Sequence, residues 1–80
     1  MLLNIKGILV AKLNAFFARA AESDFMDLEF LGRHMAPQVY AVRKQLNAEH
    51  RQAFINAYSR RYNNSDANCV RCIKHAFGVV

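Results

Sequence analysis

Apolar residues recur at intervals of three and four along most of this 80-residue chain. An α-helix turns by about 100° per residue, so this spacing gathers them on one side of a helix. The chain contains only three glycines and one proline, too few for the many turns of a small all-β fold. The sequence therefore predicts one all-α domain spanning residues 1–80, a compact bundle of four to five short helices.

Residues that start or stop helices divide the first half of the chain into three segments. The first helix is predicted over about residues 4–21. Ser23 is a good N-cap for the second helix, which should end near Gly32 or Met35 because the residue before Pro37 resists the helical conformation. Pro37 itself is expected at the first position of a third helix.

The second half of the chain predicts two more helices. Asn47 has the side chain of an N-cap and should start a fourth helix that runs to about Tyr62. After an asparagine-containing turn, Ser65 or Asp66 is expected to cap a fifth helix. Gly78 follows the last apolar residues of that helix and is expected at its C-terminal cap.

The first helix is unusual because the side opposite its apolar face is small rather than polar. Its large apolar residues share one face: Ile5, Leu9, Leu13 and Phe16. The opposite face carries small residues three or four apart: Gly7, Ala11, Ala15 and Ala18. Such a helix is normally surrounded by protein, and small residues let a second backbone approach closely. We therefore expect this N-terminal helix to be central in the bundle or in a homodimer seam, with the four small residues as a self-association site.

Positive charge is concentrated in the second half of the chain. Lys and Arg number 11 against six acids, which gives a net charge of +5. A basic surface can meet nucleic acid, an anionic membrane or an acidic protein, and it can also simply keep a small protein in solution. The alternative prediction is therefore a nucleic-acid-binding domain that uses the following cations: Arg43, Lys44, Arg51, Arg60, Arg61, Arg71 and Lys74.

Aromatic and basic residues are interleaved near the end of the fourth helix. Arg51 and Arg61 fall on the same side of that helix as its aromatic residues. An arginine there must extend to solvent, pair with an acid of the same chain, or meet a partner. The candidate internal acids are Asp24, Asp27 and Glu29. The partner alternative predicts this protein-binding set: Arg51, Tyr58, Arg60, Arg61 and Tyr62.

Cys69 and Cys72 form a C-x-x-C pair, and His75 follows three residues later. Structural zinc needs about four ligands, and the fourth would have to be His34 or His50. A thiol–disulfide site would need a cysteine near a helix N-terminus, where its pKa is lowered. A metal or redox site is a second alternative. The leading interpretation is that Cys69 packs as a small core residue and Cys72 lies at the edge of that face.

Residues 1–21 contain three cations and no acid, and the pattern at residues 18–20 has the small-x-small form of a signal-peptidase site. Lys12 and Asn14 interrupt the apolar run, however, and leave it too short for a signal core or a membrane span. Two closely spaced cysteines do not form a secreted disulfide framework. We therefore expect a cytoplasmic protein without a membrane span.

No catalytic constellation, nucleotide-binding loop or cofactor motif is recognisable, and no stretch is specific enough to assign a family. The leading prediction is a small non-enzymatic helical domain that binds another protein as an accessory, regulatory or inhibitory subunit. Self-association into a homodimer is part of that prediction. No cofactor is expected.

Overall fold

The computed structural model of the protein describes residues 4–62 and 67–79. Within these ranges the chain forms five α-helices and a short 3-10 turn, and contains no strand. The elements are α1 (Ile5–Arg19), α2 (Glu22–His34), α3 (Ala36–Val42), the 3-10 turn Arg43–Gln45, α4 (Ala48–Tyr62) and α5 (Ala67–Ala76). The predicted all-α bundle is confirmed.

The core is built around the ring of Phe54 on α4, which is fully buried. Its centroid lies 5.8 Å from that of Phe16, 5.5 Å from Phe25 and 5.2 Å from Phe77. These three rings come from α1, α2 and the end of α5, so one side chain contacts three other parts of the fold. Tilted and edge-on aromatic pairs at such distances add to the stabilisation from burial.

Helix α1 packs on α2, α3 and α4, and α5 packs on α2, α3 and α4 elsewhere in the bundle. Only Leu9, Leu13 and Phe16 of α1 are buried. The small residues stay largely accessible: Gly7, Ala11 and Ala18 are exposed and Ala15 is half-buried. Helix α1 thus contacts three other helices through its large-residue face and leaves its small-residue face open, so a homodimer seam on that face stays a prediction.

The glycine that permits close helix packing is Gly32 on α2, which is buried. A Cβ atom there would lie 2.7 Å from Ile73 Cδ1 and 3.0 Å from Phe77 Cε2. At Gly7, by contrast, a Cβ would meet only the side chain of Asn4, at 3.1 Å. The missing Cβ of Gly32 thus makes room for the side chains of Ile73 and Phe77, whereas the side chain nearest to Gly7 is that of Asn4.

Two of the predicted caps are confirmed. Asn47 Oδ1 accepts hydrogen bonds from the backbone N–H groups of Glu49 (2.8 Å) and His50 (3.1 Å), which satisfies two unpaired donors of α4. Gly78 adopts φ +71°. The N–H of Gly78 donates to the carbonyl of His75, and the N–H of Val79 donates to the carbonyl of Lys74. This pair of hydrogen bonds is the Schellman motif.

Two other boundaries differ from the prediction, by two residues for α2 and by one residue for α3. Helix α2 begins at Glu22, and the N-cap residue Ala21 has no side-chain cap, so Ser23 lies inside the helix. First-turn acids complement the helix dipole there without a hydroxyl cap. Helix α3 begins at Ala36, which places Pro37 at the second position. The predicted caps Ser65 and Asp66 lie outside the described residues.

Candidate functional site

The most distinctive surface is the exposed side of α1, which we call the uncharged face. Its members lie within about 120° of arc at about 100° per residue, and all of them are exposed: Gly7, Val10, Ala11, Asn14, Phe17 and Ala18. The three cations of α1 point outside this arc. The outward side of a bundle helix is normally charged or polar, so this face departs from the usual pattern.

Two large apolar side chains on the uncharged face are accessible to solvent. Val10 is 40% exposed and Phe17 is 46% exposed. The Phe17 ring stacks at 4.4 Å on the imidazole of His50, the third residue of α4. Val10 and Asn14 form one wall of a shallow groove whose other wall is residues 45–47 and His50. The face therefore continues from α1 onto the start of α4.

Two of the three cations of α1, Lys12 and Arg19, are held by acids of α2 on the side away from the uncharged face. Lys12 Nζ lies 2.7 Å from Asp27 Oδ2 and 3.7 Å from Asp24 Oδ1. The hydrogen bond to Asp27 raises the pKa of the Lys12 ammonium. Arg19 Nη2 lies 3.8 Å from the other oxygen of the buried Asp24. This pairing places the charges of Lys12 and Arg19 at the α1–α2 seam, whereas the exposed Lys6 borders the uncharged face on the side of Phe17.

Arg61 forms an internal ion pair, but with an acid that the sequence did not single out. Its two terminal nitrogens donate to the two carboxylate oxygens of Glu22, both at 2.7 Å. The guanidinium carbon also lies 4.4 Å from the centre of the Phe25 ring. The predicted candidates Asp24 and Glu29 contact Lys12, Arg19 and Arg33 instead. The hydrogen bond from Arg61 lowers the pKa of the Glu22 carboxyl.

The other members of the predicted protein-binding set do not form one surface. Tyr58 is only 1% exposed, so it belongs to the core and offers no contact area. Arg51 reaches the C-terminus of α5, where Nη1 donates to the carbonyl of Phe77 at 2.9 Å. Tyr62 is half-buried and stacks near Tyr58, and only Arg60 stands exposed beside Arg61.

The predicted nucleic-acid set is also partly engaged within the chain. Arg51 and Arg61 are paired as described above. Arg43 lies over the ring of Tyr40, with 3.6 Å between the guanidinium carbon and the ring centre, and its Nη1 donates to the Tyr40 carbonyl. The remaining cations are on the 3-10 turn, α4 and α5: Lys44, Arg60, Arg71 and Lys74.

The two cysteines occupy different environments. Cys69 is half-buried, and its Sγ accepts a hydrogen bond from the Tyr58 hydroxyl at 3.6 Å. Burial, together with this contact, raises the pKa of the Tyr58 phenol. Cys72 is exposed. Within residues 4–62 and 67–79, no three His, Cys, Asp or Glu side chains come together in a way that could hold a metal ion.

A groove between α3 and α5 was not predicted from the sequence. It has a volume of about 560 Å³ and is lined by Ala36, Pro37, Tyr40, Arg71, Cys72, His75 and Ala76. The Tyr40 ring stacks on the His75 imidazole, with centroids 4.9 Å apart and planes 14° apart. The sequence predicted only that Cys72 lies at an exposed edge of its helix. It did not predict the groove, because the packing of α3 on α5 brings together residues that are distant in the sequence.

None of the helices described here is long and apolar enough to cross a membrane.

Comparisons with protein-family models, curated proteins and solved structures found no match for this chain.

Proposed function

We propose that this chain is a non-enzymatic protein-binding domain and that the uncharged face of α1 is its contact surface. The supporting observation is the exposure of Val10 and Phe17 on a helix side that carries no charge. Contiguous apolar surface on a small soluble domain commonly marks an interaction site. The continuation of the face onto His50 enlarges the area that a partner could cover.

A second copy of the chain is the partner to test first. Each copy carries a net charge of +5, so two copies repel one another wherever their cations meet. A symmetric dimer through the uncharged face keeps those cations apart, and a two-fold axis brings the same patch of both copies together. Gly7, Ala11 and Ala18 would allow the two α1 backbones to approach near the short end of the usual 8–10 Å range.

Sedimentation velocity over a wide concentration range tests the proposal, with Ala11→Glu as the decisive variant. Placing two carboxylates in a helix seam should weaken dimerisation by about tenfold or more, because each would be buried without a partner. Ala41→Glu on the exposed side of α3 is the matched control. It makes the same change of charge and should leave the dimer unaffected. A chain that remains strictly monomeric at high concentration rules out self-association.

The salt dependence separates this proposal from the nucleic-acid alternative. Dimerisation through an uncharged face should be unchanged or strengthened by salt, which screens the repulsion between two basic copies. Binding to DNA or RNA should weaken steeply with salt, because counterions are released on association. The alternative has less support, since Arg43, Arg51 and Arg61 already have contacts within the chain. A gel shift at low salt without retardation of either nucleic acid would contradict it.

A cytoplasmic location is part of the proposal. Two cysteines that are not joined to each other are compatible with a reducing compartment.

A further inference from the structure

The groove between α3 and α5 has the size and lining of a small-molecule site. Its volume of about 560 Å³ falls within the range of about 300–1,000 Å³ that is usual for ligand pockets. Most of its lining is apolar, from Ala36, Pro37, the Tyr40 ring and Ala76. Such sites typically combine an apolar lining with a small number of polar groups that orient the ligand.

The dimensions of the groove argue against a helical partner. The lining on α3 extends from Ala36 to Tyr40 and the lining on α5 from Arg71 to Ala76. At about 1.5 Å per residue, these walls are about 6 and 7.5 Å long. An amphipathic helix bound in a groove uses anchors from i to i+7, which are about 10.5 Å apart. The groove is therefore better matched to a ligand shorter than two helical turns.

The polar groups of the groove favour a negative charge on that ligand. Arg71 and His75 line it, and the Arg43 guanidinium lies 3.6 Å from the centre of the Tyr40 ring. No acidic side chain is among the lining residues, and within the described chain no carboxylate forms an ion pair with Arg71. A guanidinium binds a carboxylate through two parallel hydrogen bonds, which gives both affinity and orientation.

We propose that the α3–α5 groove binds a small anionic amphiphile, an organic carboxylate with an apolar chain. The chain of the ligand packs on Ala36, Pro37 and Tyr40, and its carboxylate accepts hydrogen bonds from the Arg71 guanidinium. The groove is formed by α3 and α5, whereas the proposed protein-binding face is on α1. The two proposals are therefore independent, and a result that contradicts one does not affect the other.

Binding of octanoate to the full chain, measured by calorimetry below the micellar concentration, is the direct test. Its extended chain is shorter than two helical turns, and one saturable site is expected. Octyltrimethylammonium has the same chain with the opposite charge and should bind at least about tenfold more weakly. Absence of saturable octanoate binding, or equal affinity for the two amphiphiles, would overturn the proposal.

Cys72 supplies a local reporter because it lines the groove and is exposed. In the Cys69→Ser variant, Cys72 is the single thiol, and serine retains an acceptor for the Tyr58 hydroxyl. Saturating octanoate should slow alkylation of Cys72 by iodoacetamide by about fivefold or more. An unchanged alkylation rate at saturation would place the ligand elsewhere and refute the assignment.

Two arginine substitutions separate a specific contact from attraction to the net positive charge. Arg71→Gln removes the guanidinium that donates to the ligand carboxylate and should weaken octanoate binding by about tenfold or more. Arg60→Gln removes one charge from α4, outside the groove, and should leave binding within about twofold. Equal losses for the two variants would show that binding follows net charge alone. Circular dichroism of each variant verifies that the helices are retained.

Discussion

Ala20 ends α1 in a conformation that alanine adopts only at a cost. Its backbone has φ 52° and ψ 38°, in the left-handed region. It is the only described residue other than glycine with a positive φ. Its N–H donates to the carbonyl of Phe16 at 2.6 Å, which closes the last turn of the helix. The left-handed conformation costs an L-residue with a Cβ about 1–2 kcal/mol, and glycine avoids that cost.

The substitution Ala20→Gly should therefore stabilise the protein. Ala20 is exposed, so little buried surface is lost with the methyl group. The substitution removes a conformational cost of about 1–2 kcal/mol in the folded state. It also increases the entropy of the unfolded chain, which lowers the free energy of unfolding by about 0.4–1 kcal/mol. The difference is a net gain of about 0.8 kcal/mol. For a domain of this size it corresponds to a rise in Tm of about 3–6 °C.

Urea unfolding followed by circular dichroism at a fixed protein concentration measures this gain. The midpoint should rise for Ala20→Gly while the m-value stays unchanged. Ala53→Gly in the middle of α4 is the matched control, and it should lower stability by about 1 kcal/mol or more because glycine is unfavourable inside a helix. If Ala20→Gly also lowers the midpoint, then Ala20 is not in the left-handed region and the reasoning is refuted.

Gly78→Ala should destabilise by about 1–2 kcal/mol in the same urea assay, because it places a Cβ at φ +71°; an unchanged midpoint would contradict the Schellman motif. Phe54→Ala should cost about 3–5 kcal/mol, a large part of the roughly 4–12 kcal/mol expected for a domain of this size; a loss below about 1 kcal/mol would show that Phe54 is not the centre of the core. Arg61 lowers the pKa of Glu22, so the stability from this pair is present above the ordinary Glu pKa and is lost as the pH falls through the lowered value. Unfolding midpoints between about pH 6 and pH 3 should consequently fall less steeply in Glu22→Gln than in the wild type, and identical slopes would argue against the pair.

The helices and several of their ends could be predicted because they depend on residues close in sequence. The spacing of apolar residues places α1, α2 and α4 within a few residues of their observed bounds. Asn47 caps α4 through N–H groups two and three residues ahead of it. Gly78 is selected by a backbone conformation that glycine adopts without strain. The prediction that Ser23 caps α2 was wrong, because Ala21 is the N-cap residue and makes no side-chain hydrogen bond.

The candidate surfaces depended on the tertiary structure. Arg61 pairs with Glu22, which is 39 positions away in the sequence, while the acids near Glu22 form ion pairs with other cations. Helical periodicity shows which side of α4 Arg61 occupies. It does not show which residue of α2 faces that side. The α3–α5 groove exists only because two distant helices pack side by side.

The small residues of α1 show this division most clearly. Periodicity in the sequence predicts that α1 is a helix with large apolar residues on one face and small uncharged residues on the other. The packing of the helices shows which face is covered, and it places the side chains of Ile73 and Phe77 against Gly32 on α2, not against Gly7. Periodicity could not show this because it describes one helix about its own axis. Which of its faces are buried depends on how many neighbours pack on it and from which directions.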